Sequence, residues 1–214
     1  MAPTTRVTYL FDPLCGWCYG ASPMLDQLVG RPDLALEPLA TGLFAGAGAR
    51  PMDAGFAAFA WTNDQQIARL TGQVFSEAYR HTILGDHTRL FDSGPATLAL
   101  TAVALTAPDR VFDALKAIQN ARYVDGRDNT DSTVLAQVLR SLGLTDGASR
   151  LVDPDDALIA AYRARLESAR AEMDRFGAGG VPALVAGSGD TRRLIPSGAL
   201  FGGLDTLVAK LQAA

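Results

Sequence analysis

The sequence predicts an α/β protein whose sheet is interrupted by a long helical block. Three observations carry this. A short β-branched and aromatic run, Arg6 to Phe11 ("RVTYLF"), opens the chain and ends at Asp-Pro. Strand signals return only near the other end, in "PALVA" and "TRRLIP". Between them lie more than a hundred residues rich in helical periodicity and poor in strand signals.

The elements follow from local chemistry. Arg6 to Phe11 reads as a buried strand. A helix is predicted from about Cys15 to Val29, stopped by Gly30 and Pro32 and kinked at Pro23. Leu34 to Gly42 alternates as a second strand, and Pro38 assigns it to an edge or a bulge. Asp53 to Arg80 is predicted helical with loose limits, and Pro95 to Ala107, apolar nearly all round, is a buried helix. Further helices are predicted over Asp109 to Tyr123 and Asp131 to Leu142. The next has Asp153 as N-cap, Pro154 in its first turn, and Leu158, Tyr162, Leu166, Ala169, Met173 and Phe176 on one face before Gly177. Pro182 to Ala186 and Thr191 to Pro196 form a hairpin across "GSGD", and Leu204 to Gln212 is a terminal amphipathic helix.

The chemistry concentrates in "YLFDPLCGWCYGASPML". It holds both cysteines, Cys15 and Cys18, separated by Gly16 and Trp17. A thiol at a helix start faces unpaired N–H groups, which favour the nucleophilic thiolate. At an ordinary pKa only about 3% of a thiol is ionised at neutral pH, so such help matters. A second thiol one turn on can attack a mixed disulfide on the first and release the substrate. Cys15 is therefore the candidate attacking thiol and Cys18 the resolving one. Far along the chain, "GGVPALV" sets Pro182 before a strand. A cis proline there would hold a sharp turn and free the Val181 backbone to pair with an extended substrate. Trp17 reads as a partly exposed wall of the substrate groove.

This combination resembles the DsbA family of thioredoxin-fold proteins over essentially the whole chain. The stretch around the cysteines is similar to its cytoplasmic FrnE-like branch of predicted protein-disulfide isomerases. The resemblance implies a thioredoxin fold from residues 1–42 and 178–214, with an all-helical insertion over residues 43–177. It also implies thiol–disulfide exchange by Cys15 and Cys18, with Pro182 as the cis-proline. Three positions depart from the family pattern. Trp17 stands where periplasmic members carry histidine, which lowers the expected oxidising power. Tyr9 stands where a buried acid is common, and Asp12, though nearer, is expected to sit differently, so Cys18 has no assigned base. Ala183 follows the proline where a hydroxyl residue is frequent.

The expected substrates are protein or small-molecule disulfides and thiols, glutathione among them, with no bound cofactor. One rival is a glutathione-dependent transferase or isomerase of the kappa or 2-hydroxychromene-2-carboxylate isomerase type, which uses a serine at the first position. Another is a non-enzymatic metal-binding or chaperone module. His81 and His87 have a formal zinc-ligand spacing, but they lie more than sixty residues from Cys18 and read as surface or capping residues. Phe44, Phe56, Phe59, Trp61 and Phe75 read first as packing of the insertion on the sheet. "GLFAGAGAR" lacks the context of a phosphate loop. The formal net charge of −4 and the lack of a basic block give no sign of nucleic-acid or membrane binding. The opening apolar run is too short for a signal peptide, so a cytoplasmic protein is expected.

Overall fold

A computed structural model describes residues 4–214. Strand β1, Thr5–Phe11, lies inside a four-stranded sheet of order β2-β1-β5-β6. Strand β2, Leu34–Ala40, pairs parallel to β1 with Pro38 opposite Tyr9. It is an edge strand, so the proline's missing donor costs no ladder bond on the outer side. Strands β5, Ala183–Ala186, and β6, Arg193–Ile195, continue the sheet antiparallel on the other side of β1.

The two-residue period of β1 divides the core. Val7, Tyr9 and Phe11 face one cluster with most of the helices, while Leu10 joins Leu39, Ala169, Ala183 and Val185 on the opposite face. The crossover from β1 to β2 runs through α1, Gly16–Gly20, and α2, Ser22–Leu28. The predicted single helix is thus broken at Ala21 rather than kinked, because Pro23 sits in the first turn of α2, where its missing N–H is tolerated.

Beyond β2 the chain forms α3, Ala54–Thr71, capped by Asp53, then the short α4, Glu77–Tyr79, which runs into a π-turn at Arg80–Leu84. Next come α5, Gly94–Thr106, α6, Val111–Tyr123, and α7, Ser132–Ser141, the last capped by Asp131. Helix α8, Thr145–Val152, was not expected from the sequence. It ends at Asp153, so the cap of the following helix α9, Asp156–Phe176, falls to Asp155, whose side chain accepts from the Leu158 N–H. Asp153 is therefore not that cap. The helical block also contains a small ribbon, β3, Arg50–Pro51, with β4, Leu90–Phe91. After β6, a 3₁₀ turn at Ser197–Phe201 leads to α10, Leu204–Gln212. Among the described residues no helix is long and apolar enough to cross a membrane.

Candidate active site

Strand β1 delivers the cysteines through Asp12-Pro13-Leu14. Asp12 is fully buried, and each of its oxygens is occupied. Oδ1 accepts from the Leu14 N–H at 2.9 Å; Oδ2 accepts from the Phe44 N–H at 3.1 Å and the Ser93 hydroxyl at 2.7 Å. Burial pushes this carboxyl up, and these donors oppose the rise. Asp12 thereby ties the turn before Cys15 to the start of the helical block and to the residue before α5. It is a positioning residue, and among the described residues its carboxyl makes no hydrogen bond to either sulfur.

Cys15 occupies the N-cap position of α1 and is 8% exposed, whereas Cys18, one turn deeper, is completely buried. Burial pushes the Cys18 thiol well up, and the neighbouring Cys15 adds to the effect. Tyr9 lies in the position where an acid is common in the family. Its hydroxyl donates to the Cys18 carbonyl at 3.5 Å, and burial keeps the phenol neutral. Among the described residues no side-chain carboxylate hydrogen-bonds the Cys18 thiol.

The Val181–Pro182 peptide is cis, and the Cys15 thiol donates to the Val181 carbonyl across 3.6 Å, a weak sulfur contact. Just upstream, Gly179 and Gly180 are exposed, with nothing within 4 Å of where a Cβ would stand. The amides of Gly179, Gly180 and Val181 make no backbone hydrogen bond among the described residues. Together with Trp17, Ser197 and Phe201 they border a groove of 550 Å³. Trp17 is partly exposed and meets Phe201 edge-on, with ring centroids 5.3 Å apart. Of the five residues singled out from the sequence, Trp17, Val181 and Pro182 line this groove, Cys15 reaches its edge through the Val181 carbonyl, and Cys18 lies buried behind it.

On the other side of Trp17 lies a second cavity of 200 Å³, walled in part by aromatics whose leading reading from the sequence is packing, with a substrate-binding role for some of them as the alternative. Cys15 and Trp17 border it together with Phe44, Phe56, Phe59, Asp64, Tyr79 and Tyr123. Three of the aromatics read as packing residues therefore stand beside the reactive thiol; Phe75 is buried in the core, and Trp61 is covered by Arg80. Asp64 projects from α3 and is 4% exposed. Its Oδ2 accepts from the Tyr79 hydroxyl at 2.9 Å, and burial pushes the carboxyl up to about 7 against the pull of Tyr79 and Arg122. Its Oδ1 lies so near Gly16 that a Cβ there would come within 2.6 Å. Gly20 is equally constrained by Ile67, at 2.5 Å. The one sequence signal for this approach was the pair Gly16 and Gly20, four residues apart on one helix face. Tyr123 donates to the Leu14 carbonyl at 2.7 Å and stacks on Tyr19, holding the redox turn from the same side.

His81 and His87 are both exposed, and His81 pairs with Glu77 at 3.4 Å. Among the described residues no three metal-ligating side chains cluster.

A strand–CxxC–helix unit facing a cis-proline loop, under a helical block, defines a thioredoxin-fold thiol–disulfide oxidoreductase. The DSBA-like thioredoxin domain matches residues 6–212, and the chain belongs to this family. It is similar to the cytosolic disulfide reductase DsbM from Pseudomonas aeruginosa, with 32% identity, a TM-score of 0.84 and 97% of each chain covered. The structure of that protein with GSH aligns at a TM-score of 0.83. A putative protein disulfide isomerase from Nitrosomonas europaea aligns over 97% of this chain and 98% of its own, with 24% identity and a TM-score of 0.78. A 2-hydroxychromene-2-carboxylate isomerase shares the fold at 19% identity and a TM-score of 0.63, covering 96% and 95% of the two chains. No curated protein matches the chain in sequence.

Proposed function

We propose that this protein reduces or exchanges disulfides in the cytoplasm through attack by Cys15 and resolution by Cys18. The observation that carries the assignment is their asymmetry. Cys15 borders the aromatic-lined cavity and touches the Val181 carbonyl at the edge of the groove, while Cys18 is sealed beneath it and held as a thiol by burial. An incoming disulfide reaches only the first sulfur; the second acts once a mixed disulfide has formed beside it. The exposed strip from Gly179 to Val181 offers free amides to an extended peptide, with Pro182 and Trp17 as the walls. Residues 43–177 would serve as the insertion covering the site.

The likeness to a cytosolic disulfide reductase supports the reducing direction and a cytoplasmic setting. The GSH-bound form of that relative supports glutathione as a thiol partner. Trp17 agrees with this, since no imidazolium lies between the cysteines to favour an oxidant.

The test is trapping. Cys18→Ser should accumulate a mixed disulfide with a peptide or glutathione disulfide on non-reducing gels, and Cys15→Ser should accumulate none. Equal trapping by both variants would overturn the assignment.

A further inference from the structure

We propose that Asp64, contributed by the helical block, is the general acid that protonates the thiol leaving the substrate disulfide. This rests on Cys15 being the attacking thiol. Displacement at a disulfide sulfur is in line, so the departing sulfur lies beyond the attacked one, about 4 Å from Cys15 Sγ. The 200 Å³ cavity bordered by Cys15 and Asp64 is the apolar-lined space on the insertion side of that sulfur. It is lined by rings of Phe44, Phe56, Phe59, Tyr79 and Tyr123, which suit the carbon skeleton of a thiol but not a bare thiolate. Asp64 is the single carboxyl in that lining. One of its oxygens is engaged by Tyr79, and the other, Oδ1, accepts no hydrogen bond among the described residues.

The step balances. The Cys15 thiolate forms a bond to one substrate sulfur, the S–S bond breaks, and the departing sulfur takes the electron pair. The Asp64 carboxyl gives that sulfur its proton and becomes a carboxylate, which regains a proton from solvent. Asp64 is suited to this because about half of it is protonated near neutral pH. The groups that face it are Tyr79 from α4, Arg122 and Tyr123 from α6, and Cys15 across the cavity. Arg122 is itself buried among the Tyr79, Phe91 and Tyr123 rings and lowers the Asp64 carboxyl. On the adjoining π-turn, Arg80 lies over Trp61 and His81 pairs with Glu77, both at the surface.

The experiment separates this role from bracing of Gly16. Single-turnover reaction of reduced protein is followed with glutathione disulfide, whose thiol is a poor leaving group, and with 5,5′-dithiobis(2-nitrobenzoate), whose leaving thiolate needs no proton. Asp64→Asn should slow the first by about a hundredfold and the second by less than about twofold. The ratio of wild-type to Asp64→Asn rates with glutathione disulfide should fall as pH rises through about 7. Tyr79→Phe removes a hydrogen bond that favours the carboxylate, so its inflection should move to higher pH. Equal slowing of both disulfides, or a pH-independent ratio, would overturn the proposal and leave Asp64 as a brace. If the wild type fails to react with the nitrobenzoate reagent at all, it is the assignment of Cys15 as nucleophile that falls.

Discussion

Replacing Asp64 with Asn should change how stability depends on pH, independently of any catalytic role. The folded protein holds this carboxyl at about 7, against an ordinary value of 3.8, chiefly because it is buried. Between those two values the folded state keeps a proton that the unfolded chain has lost. Wherever the folded state binds more protons, stability falls as pH rises. The contribution of Asp64 is thus neutral below about 4, declines through the interval and is fully unfavourable above about 7. A span of just over three pH units at about 1.4 kcal/mol each amounts to about 4 kcal/mol. Asn keeps the size and still accepts from the Tyr79 hydroxyl but carries no charge. Asp12 and Cys18, also pushed up by burial, are common to both proteins and cancel in the difference. Urea unfolding across this range should find Asp64→Asn gaining on wild type as pH rises, by up to about 4 kcal/mol at mildly alkaline pH. Parallel curves for the two proteins would mean that Asp64 ionises as freely as in an open chain, and the burial argument would be refuted.

Two further outcomes are expected. Ser93→Ala removes the hydroxyl donor from the buried Asp12 carboxylate and should cost about 1–3 kcal/mol in urea unfolding, whereas an unchanged midpoint would show that Asp12 does not depend on that bond. Phe201→Ala strips the Trp17 partner from the peptide groove; it should raise KM for a peptide disulfide several-fold and leave glutathione disulfide reduction unchanged, and equal effects on both would remove the groove from peptide recognition.

What could be read from the sequence is what local patterns specify. The Cys15–Cys18 spacing, the β1 run ending at Asp-Pro, and Pro182 ahead of β5 each announce themselves within a few residues. Asp64 does not. In "WTNDQQIARL" it looks like one more polar residue on a solvated helix, and its burial arises only when α3 closes on α1 across Gly16 and Gly20. Helix α8 was hidden for a related reason. Gly143 just before it and Gly147 in its first turn weaken the helical signal, yet Gly147 is placed where a Cβ would come within 3.3 Å of Val103 on α5. Finding α8 also relocates the α9 cap, since Asp153, Asp155 and Asp156 are all chemically eligible and only the end of α8 decides among them.

The helical block is not a detachable cover. Its residues supply the partners that fix the redox turn from one side. Phe44 N–H and Ser93 satisfy Asp12, Tyr123 satisfies the Leu14 carbonyl, and Gln73 donates to the Tyr19 carbonyl at 3.0 Å. Removing the block would leave the buried Asp12 carboxylate with only the Leu14 amide, and an uncompensated buried charge costs several kcal/mol. It would also uncover Tyr19, which packs on Tyr123 and Phe75. The sheet and the cysteines therefore hold their arrangement only while the helices are folded upon them. The same contacts that stabilise the turn bring Asp64 and its aromatic neighbours to one side of Cys15, opposite the open backbone strip before Pro182. A substrate disulfide has two unlike requirements, a bound half that must be held and a departing half that must be protonated, and each side of Cys15 is chemically suited to one of them.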